Sequence, residues 1–315
     1  MLNIKEKIWL TSRETWGILE LSGKDRKQFL HNQTTNDIAK LIPGSGCETI
    51  FVNSTGRTLE LAFVYCLEDS LWILVSSKKS QFIYQWIDRY IFPVDQVSLK
   101  DLSSDFRVLK IIGERSQEIL QKIAPFPNPL RNIGDHQQID SLRIAVGTGL
   151  DLSGYTLFIP ADEYPQVLNQ LITLGAIELE NENELRIKQG RPLAQLELTD
   201  DYNALEAGLW RAISFTKGCY IGQETIARLN TYRGVKQRLW GINLNKEVPL
   251  NTPIFLQENK IGVLTSCCKI SDSEIIGLGY IKTKAGGEGL EVVIGDAQGI
   301  IISTSYLSHD YYDPR

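Results

Sequence analysis

Residues 217–224 read KGCYIGQE, and this stretch marks the point where a loop becomes a helix. Gly218 and Gly222 permit backbone angles that other residues avoid, and good helix formers follow Gly222. The pattern predicts a tight loop that ends at a helix N-terminus. Gln223 and Glu224 are expected to cap and hold the start of that helix.

Cys219, inside this loop, has two interpretations. Lys217 and the dipole of the helix would favour a thiolate here, as in a reactive cysteine. Alternatively, Cys219 is a small buried residue in a turn, because free cysteine is among the most buried residue types. No sequence pattern pairs a histidine with it, so the residues alone leave both interpretations open.

The sequence pattern changes on either side of this stretch. From residue 237 onward, short apolar runs alternate with turns that carry glycine or asparagine, which predicts a small all-β domain, either a sandwich or a barrel. The boundary is placed near Gly234–Gln237. Residues 184–230 are helical and loop-like.

The preceding residues mix helical and strand patterns. We expect a helix at about 23–32 that opens at Ser22 and Asp25, three strands within 47–76, a helix at 78–91, a helix opened by Ser116 and a helix ended by Gly175. Regular βαβ periodicity and a GxGxxG turn are both absent from the sequence, which favours an α+β fold over a doubly wound sheet.

Composition limits the functional classes. The 315 residues suit two domains or three subdomains, and a net charge of −5 argues against nucleic acid as the main partner. No apolar run is long enough for a membrane span, and the N-terminus lacks a signal-peptide pattern, so we expect a cytoplasmic protein. The five cysteines form neither a disulfide framework nor a metal-ligand spacing, and adjacent Cys267 and Cys268 suit packing.

Three further groups of polar residues are candidates for binding. The run 31–37, HNQTTND, is either a solvated loop or a pocket wall that recognises the edge of a heterocycle. Arg191 and Glu206 are either surface charges or residues that line a cleft. Arg228 begins a basic cluster that is either a solvated face or a site for an anion, namely a glutamyl tail or an RNA backbone; the cluster comprises Arg228, Arg233, Lys236 and Arg238.

KGCYIGQE is similar to the KGCYxGQE signature of the YgfZ-type folate-binding proteins, which are relatives of the glycine-cleavage T-protein, an aminomethyltransferase. The resemblance extends over nearly the whole chain. It includes GILELSGKDRKQFLHNQTTNDI, the Gly-Arg turn in NSTGRTLELAFVY, ELRIKQGRP before the signature, and the region 237–308.

The resemblance implies an α+β, T-protein-like arrangement of three subdomains around a central channel, with a C-terminal barrel-like domain. The predicted bounds are 1–235 for the folate-binding region, divided at about residue 100, and 236–315 for the barrel-like domain. Tetrahydrofolate or a one-carbon derivative is expected in the channel, with Cys219 and Lys217 as catalytic residues. The expected folate-binding residues are Gln33, Thr35, Asn36, Asp37, Arg191, Glu206, Gly218, Tyr220, Gly222, Gln223, Glu224 and Arg228.

The sequence also departs from the T-protein pattern. The acidic pair of the T-protein is reduced to Glu60-Leu61, its GYTGE loop appears only as residues 153–157, SGYTL, and its pterin-facing glutamate is replaced by Lys188, which must be either exposed or paired. The resemblance therefore implies a monomeric folate-binding accessory protein that serves the assembly or repair of iron–sulfur proteins, with a link to tRNA modification. The alternatives are a folate-dependent methyl or aminomethyl transferase and a scaffold that binds only protein partners.

Overall fold

The computed structural model describes residues 5–12, 15–126 and 130–313. The chain divides into two compact units. The first comprises Met1–Thr49 and Ala62–Glu182, and the second comprises Ile50–Leu61 and Asn183–Arg315. The predicted subdomain bounds at residues 100 and 235 stay a prediction.

The first unit is built on two sheets. Its elements in chain order are β1 (Trp9–Thr11), β2 (Trp16–Ser22), α1 (Arg26–Gln33), β3 (Ser45–Val52), β4 (Thr58–Cys66), β5 (Ser70–Ser76), α2 (Ser77–Arg89), β6 (Ser98–Asp101), β7 (Phe106–Ile112), α3 (Ser116–Ile123), β8 (His136–Ile139), β9 (Leu142–Val146), β10 (Gly154–Pro160), α4 (Tyr164–Thr173) and β11 (Ile177–Glu178). One sheet has the order β3-β4-β5-β2-β6 and the other β11-β1-β7-β10-β9-β8. The tip of the β3–β4 hairpin, residues 50–61, belongs to the second unit.

An aromatic core joins these two sheets within the first unit. Tyr65 of β4 and Trp72 of β5 both meet Phe158 of β10 edge-on, with ring centroids 5.1 Å and 5.5 Å apart. Such aromatic contacts bury large apolar areas in a fixed geometry, so they set how the two sheets pack. Most of the strand pairs are antiparallel, and β1 with β11 is parallel. The α+β class is thereby confirmed.

The second unit contains a closed six-stranded barrel. Its elements are α5 (Glu182–Gln189), α6 (Gln223–Thr231), β12 (Gln237–Leu244), β13 (Pro253–Leu256), β14 (Asn259–Ser271), β15 (Glu274–Lys282), β16 (Glu291–Ile294) and β17 (Ala297–Ile302), and the barrel order is β12-β15-β14-β13-β16-β17. Buried and exposed residues alternate strictly along β16, so Val292 and Ile294 face the core. The predicted C-terminal barrel-like domain is confirmed.

Helix positions agree with the sequence predictions apart from one start. α1 begins at Arg26 rather than residue 23, because Gly23 adopts φ +101° and makes a turn there. The carboxylate of Asp25 accepts the N–H of Gln96 rather than capping the helix. Gly175, at φ +97°, follows the end of α4 as predicted. Among the described residues, no helix is both long and apolar enough to cross a membrane.

Candidate functional site

The signature loop, residues 217–222, leads directly into α6 as predicted. Gly222 is the N-cap of α6 and adopts φ +80°, a left-handed conformation that favours glycine. Cys219 is exposed. The interpretation of Cys219 as a buried packing residue is therefore wrong, and its thiol faces solvent just ahead of a helix N-terminus.

The tip of the β3–β4 hairpin packs against this loop through its backbone. A Cβ atom added to Gly222 would lie 2.5 Å from the carbonyl oxygen of Asn53 and 3.1 Å from the Cα of Gly56. Gly56 itself adopts φ +74° in the turn, and the Asn53 side chain accepts the N–H of Thr55 at 2.9 Å. Two glycines separated by 166 positions thus allow the turn and the loop to touch.

Lys217 and Tyr220 anchor the signature loop on the inner side. The Lys217 side chain is 8% exposed, and its Nζ lies 4.8 Å from the centroid of the Tyr220 ring. A cation this close to a ring face is attracted to the ring's quadrupole. Burial raises the pKa of the Tyr220 phenol well above its usual range, so the phenol stays neutral. Lys217 and Tyr220 therefore form a buried contact within the loop that carries the exposed Cys219.

Glu206 is buried and contacts Arg57 in the tip of the β3–β4 hairpin. Its carboxylate accepts the N–H of Asn203 at 3.1 Å and lies 3.5 Å from the guanidinium of Arg57. Arg57 also donates to the carbonyl of Asp201 at 2.6 Å. Burial raises the pKa of Glu206, whereas the Asn203 N–H and Arg57 oppose that increase. Glu206 as a folate ligand stays a prediction.

A buried ion pair that the sequence did not reveal holds α5 against the barrel. Arg186 donates to Glu197 at 3.0 Å and to the hydroxyl of Ser266 at 2.8 Å, and Ser266 donates to the second oxygen of Glu197 at 2.6 Å. Every charge in this cluster is paired, as burial requires. The neighbouring Lys188 forms an ion pair with Glu274 at 2.6 Å, which confirms that it is paired.

The polar run 31–37 is not a solvated loop. Gln33 and Thr35 are buried, and Gln33 is the last residue of α1. Asn36 donates from its side chain to the Glu48 carbonyl at 2.7 Å. Asp37 lies 2.8 Å from Lys40. Asn36 and Asp37 thus hold the local turn, and their predicted contacts with folate are untested.

Gln33 is a member of this run with an unused acceptor. Its side chain is 8% exposed, and within the described part of the chain Oε1 has no hydrogen-bond partner. A buried amide oxygen without a donor costs free energy unless a bound molecule satisfies it. Position 33 is therefore suited to a ligand that carries an N–H group.

The remaining predicted residues lie in the second unit. Arg191 donates to the Tyr306 hydroxyl at 2.8 Å. Glu224 and Arg228 are exposed on α6, and Gly218 is exposed in the loop. Gln223, the first residue of α6, is partly exposed. The structure thus brings Gly218, Cys219 and Gly222 together on one loop, and it leaves their predicted contacts with folate untested.

The other cysteines differ from Cys219 in their surroundings. Cys66 is buried, and Cys47, Cys267 and Cys268 are partly buried. Burial raises the pKa of both the Cys66 and Cys267 thiols. None of the five cysteines forms a disulfide bond, and the described residues include no group of three or more side chains suited to hold a metal ion.

Known proteins resemble this chain in sequence and fold. The family model of the GCVT N-terminal domain matches residues 1–217. "Putative transferase At1g60990, chloroplastic" of Arabidopsis thaliana is 38% identical over 312 residues, which cover 94% of this chain and 70% of that protein. An aminomethyltransferase of Listeria monocytogenes serotype 4b is 28% identical over 293 residues, which cover 89% and 80%.

The likeness to a solved structure concerns the fold. The glycine cleavage system aminomethyltransferase T from Bartonella henselae matches with a TM-score of 0.85 and covers 98% of this chain and 89% of that chain, at 16% identity. The predicted T-protein-like fold is thereby confirmed. The central channel stays a prediction.

Proposed function

Because this chain belongs to the GCVT N-terminal domain family, we propose that it binds a reduced folate and acts through the thiol of Cys219. The observation that carries this proposal is the exposed position of Cys219 on a loop whose backbone is fixed by Gly222. A thiol that is both exposed and rigidly held is suited to meet a second molecule in a defined orientation.

The unused acceptor of Gln33 supports the presence of a folate. A pterin ring carries N–H groups at its edge, and Gln33 Oε1 is a buried acceptor with no donor among the described residues. When bound, a reduced folate supplies a carrier for one-carbon units. In this proposal, Gln33 of the first unit orients the ring. Lys217 and Tyr220, within the second unit, contact each other in the loop that carries Cys219.

We assign an accessory role in the assembly or repair of iron–sulfur proteins, because the positions that carry transfer chemistry in the T-protein differ here. Glu60 and Leu61 stand where the T-protein has an acidic pair, and both are buried. Lys188 stands where the T-protein has a pterin-facing glutamate, and it is paired with Glu274. Cysteine sulfur is a ligand for iron, and an exposed cysteine is accessible to a cluster or a client protein.

A folate-dependent transferase is the second candidate. It is favoured by the 38% identical Arabidopsis thaliana protein, whose name describes a transferase. Transfer of a one-carbon unit to tetrahydrofolate, measured with the purified protein and an aminomethyl or methyl donor, would establish this candidate. Absence of any turnover would leave the accessory role.

Anaerobic calorimetric titration with tetrahydrofolate and its formyl and methyl forms tests the folate step. We expect saturable binding at micromolar affinity, weakened about tenfold by Gln33→Ala, because one hydrogen bond to a buried amide contributes about 1–1.5 kcal/mol. Gln138→Ala, an exposed glutamine on β8, is the control and should leave the affinity unchanged. No binding of any folate form would refute the folate step.

Cys219→Ser tests the thiol step. The residue is exposed, so we expect the variant to fold and to bind folate like the wild type. In cells that lack the native protein, this variant should fail to restore the activity of iron–sulfur enzymes. Normal activity of those enzymes would refute the role of the thiol.

A further inference from the structure

A basic segment follows the signature loop. The chain has a net charge of −5, yet residues 225–246 contain no aspartate or glutamate and carry five basic residues. Four of these are exposed, and Lys246 is ion-paired with Asp296. No ion pair engages Arg228, Arg233 or Lys236 within the described parts of the chain. Positive charge is thus concentrated in one segment of a protein that is acidic overall.

An exposed aromatic side chain lies in the same segment. Tyr232, which follows the last residue of α6, is 78% exposed. Arg233, the next residue, adopts φ +50°, which is unusual for a residue other than glycine. We call the exposed residues Arg228, Tyr232, Arg233 and Lys236 the basic ridge. Arg238 is not part of it, because it is only partly exposed and its guanidinium donates to the His309 carbonyl. The guanidinium of Arg233 is exposed and lies 5.9 Å from the centroid of the Tyr311 ring.

The basic ridge is rigidly connected to Cys219 through α6. Arg228 lies five residues beyond Gln223, which is about 8 Å along the axis from the helix start. The opposite face of α6 is fixed by the buried Ile226 and Asn230. Asn230 accepts the N–H groups of Trp210 and of Tyr312 and donates to the Tyr312 carbonyl. A molecule bound to the ridge would therefore lie at a defined distance from the thiol.

We propose that the basic ridge is a docking surface for a partner protein that presents carboxylates, and that docking brings that partner to Cys219. This inference rests on the proposed role of Cys219. Unpaired surface arginines attract carboxylates and accelerate encounter, whereas tyrosine and arginine are the residues that most often anchor protein interfaces. The exposed Tyr232 supplies the apolar anchor, and Arg228 and Arg233 supply the charge on either side of it.

The observations favour a protein over a nucleic acid. A phosphate backbone is bound by extended basic surfaces, and the net charge of −5 opposes its approach at long range. The ridge is short and is bounded by an acidic residue, because Glu224 is exposed one helical turn before Arg228. A compact patch that joins positive charge to a single aromatic ring suits a small, transient protein interface.

The docking surface is tested with a fluorescent twelve-residue peptide that contains glutamate, aspartate and glycine around a central leucine. Its binding is measured by fluorescence anisotropy at low salt. We expect saturable binding that weakens as salt is raised, because the contact is between exposed charges. The double variant R228E/R233E should weaken binding about tenfold or more, and Tyr232→Ala should weaken it severalfold at every salt concentration.

The matched control is K246E/K269E. It makes the same change in net charge, and both lysines lie near the end of the barrel reached by the last residues of β12, where Leu244 and Lys269 both pair with Ile275. This control should bind the peptide like the wild type. Equal weakening by both double variants would refute the ridge, because the effect would then follow net charge alone.

A twelve-nucleotide single-stranded RNA provides the competing probe. Tighter binding of this RNA than of the acidic peptide, or no saturable binding of the peptide, would overturn the proposal. Cys219→Ser should bind the peptide like the wild type, because docking does not require the thiol. Failure of docking and failure of the proposed thiol role are therefore distinguished by separate measurements.

Discussion

Gly222 is the residue at which the geometry of the signature loop is most open to test. A Cβ atom at position 222 would lie 2.5 Å from the Asn53 oxygen and 3.0 Å from a Val52 methyl group. Because the nearest atom belongs to the backbone, no side-chain rotation can relieve the overlap. Gly222→Ala should therefore displace either the loop or the hairpin tip.

Two separate contributions set how much Gly222→Ala lowers the free energy of unfolding. A left-handed φ of +80° costs alanine about 1–2 kcal/mol, offset by about 0.4–1 kcal/mol because alanine also reduces the freedom of the unfolded chain. The overlap with the hairpin tip adds about 1–3 kcal/mol, as overpacking does elsewhere. We expect Gly222→Ala to lower the free energy of unfolding by about 2–4 kcal/mol.

Gly289 provides a control for the backbone contribution. It adopts φ +82° in the same unit, and an added Cβ atom would meet no heavy atom within 4 Å. Its N–H donates to the Ile301 carbonyl, a bond that alanine retains. Gly289→Ala should therefore lower the free energy of unfolding by only about 0.5–1 kcal/mol.

The assay combines urea unfolding with the rate at which iodoacetamide alkylates Cys219 under native conditions. Gly222→Ala should lower the urea midpoint more than Gly289→Ala does, and it alone should change the alkylation rate, because only position 222 shapes the loop. Equal destabilisation by the two substitutions, with unchanged alkylation, would refute the contact between the hairpin tip and the signature loop.

Three further predictions follow from buried polar groups. Burial lowers the pKa of His136 from 6.5 to about 4, so the folded protein favours the neutral imidazole. The free energy of unfolding therefore includes about 3 kcal/mol that is fully present above pH 6.5 and is lost as the pH falls towards 4. Urea unfolding at pH 7.5 and 4.5 should differ less in His136→Gln than in the wild type, and an equal difference would contradict this. Glu197→Ala leaves the Arg186 guanidinium buried without its carboxylate, so unfolding should become easier by about 3–5 kcal/mol, and a loss below 1 kcal/mol in urea unfolding would disprove the importance of the pair. Asn230→Ala removes the hydrogen bonds to Tyr312, so limited proteolysis should cut near residue 312 faster than in the wild type, and unchanged cleavage would argue against this anchor.

Local sequence signals were sufficient to predict the elements around the site. The glycines at 175 and 222 marked helix ends because their left-handed conformations are unfavourable for other residues. The short apolar run within 291–294, which ends at Gly295, marked a strand of the predicted all-β domain. The start of α1 was misplaced because Ser22 and Asp25 resembled a cap, whereas Gly23 required a turn.

Contacts between distant parts of the sequence could not be predicted in the same way. Arg186, Glu197 and Ser266 form one buried cluster, yet 80 positions separate the first from the last, and each is an ordinary polar residue in its own segment. Likewise, nothing near Gly56 indicates that its turn will touch Gly222. Burial of Gln33 with an unused acceptor depends on packing around α1, which no local pattern specifies.

Exposure distinguishes Cys219 from the other four cysteines, which are buried or partly buried. The thiols of Cys66 and Cys267 are shielded, and burial raises the pKa of each, so neither is placed to react with an approaching molecule. Cys219 is exposed, yet Gly222 and the buried Ile226 fix the backbone that follows it. Selective alkylation should therefore reach Cys219 first, and a shift of the backbone at Gly222 should change that alkylation rate.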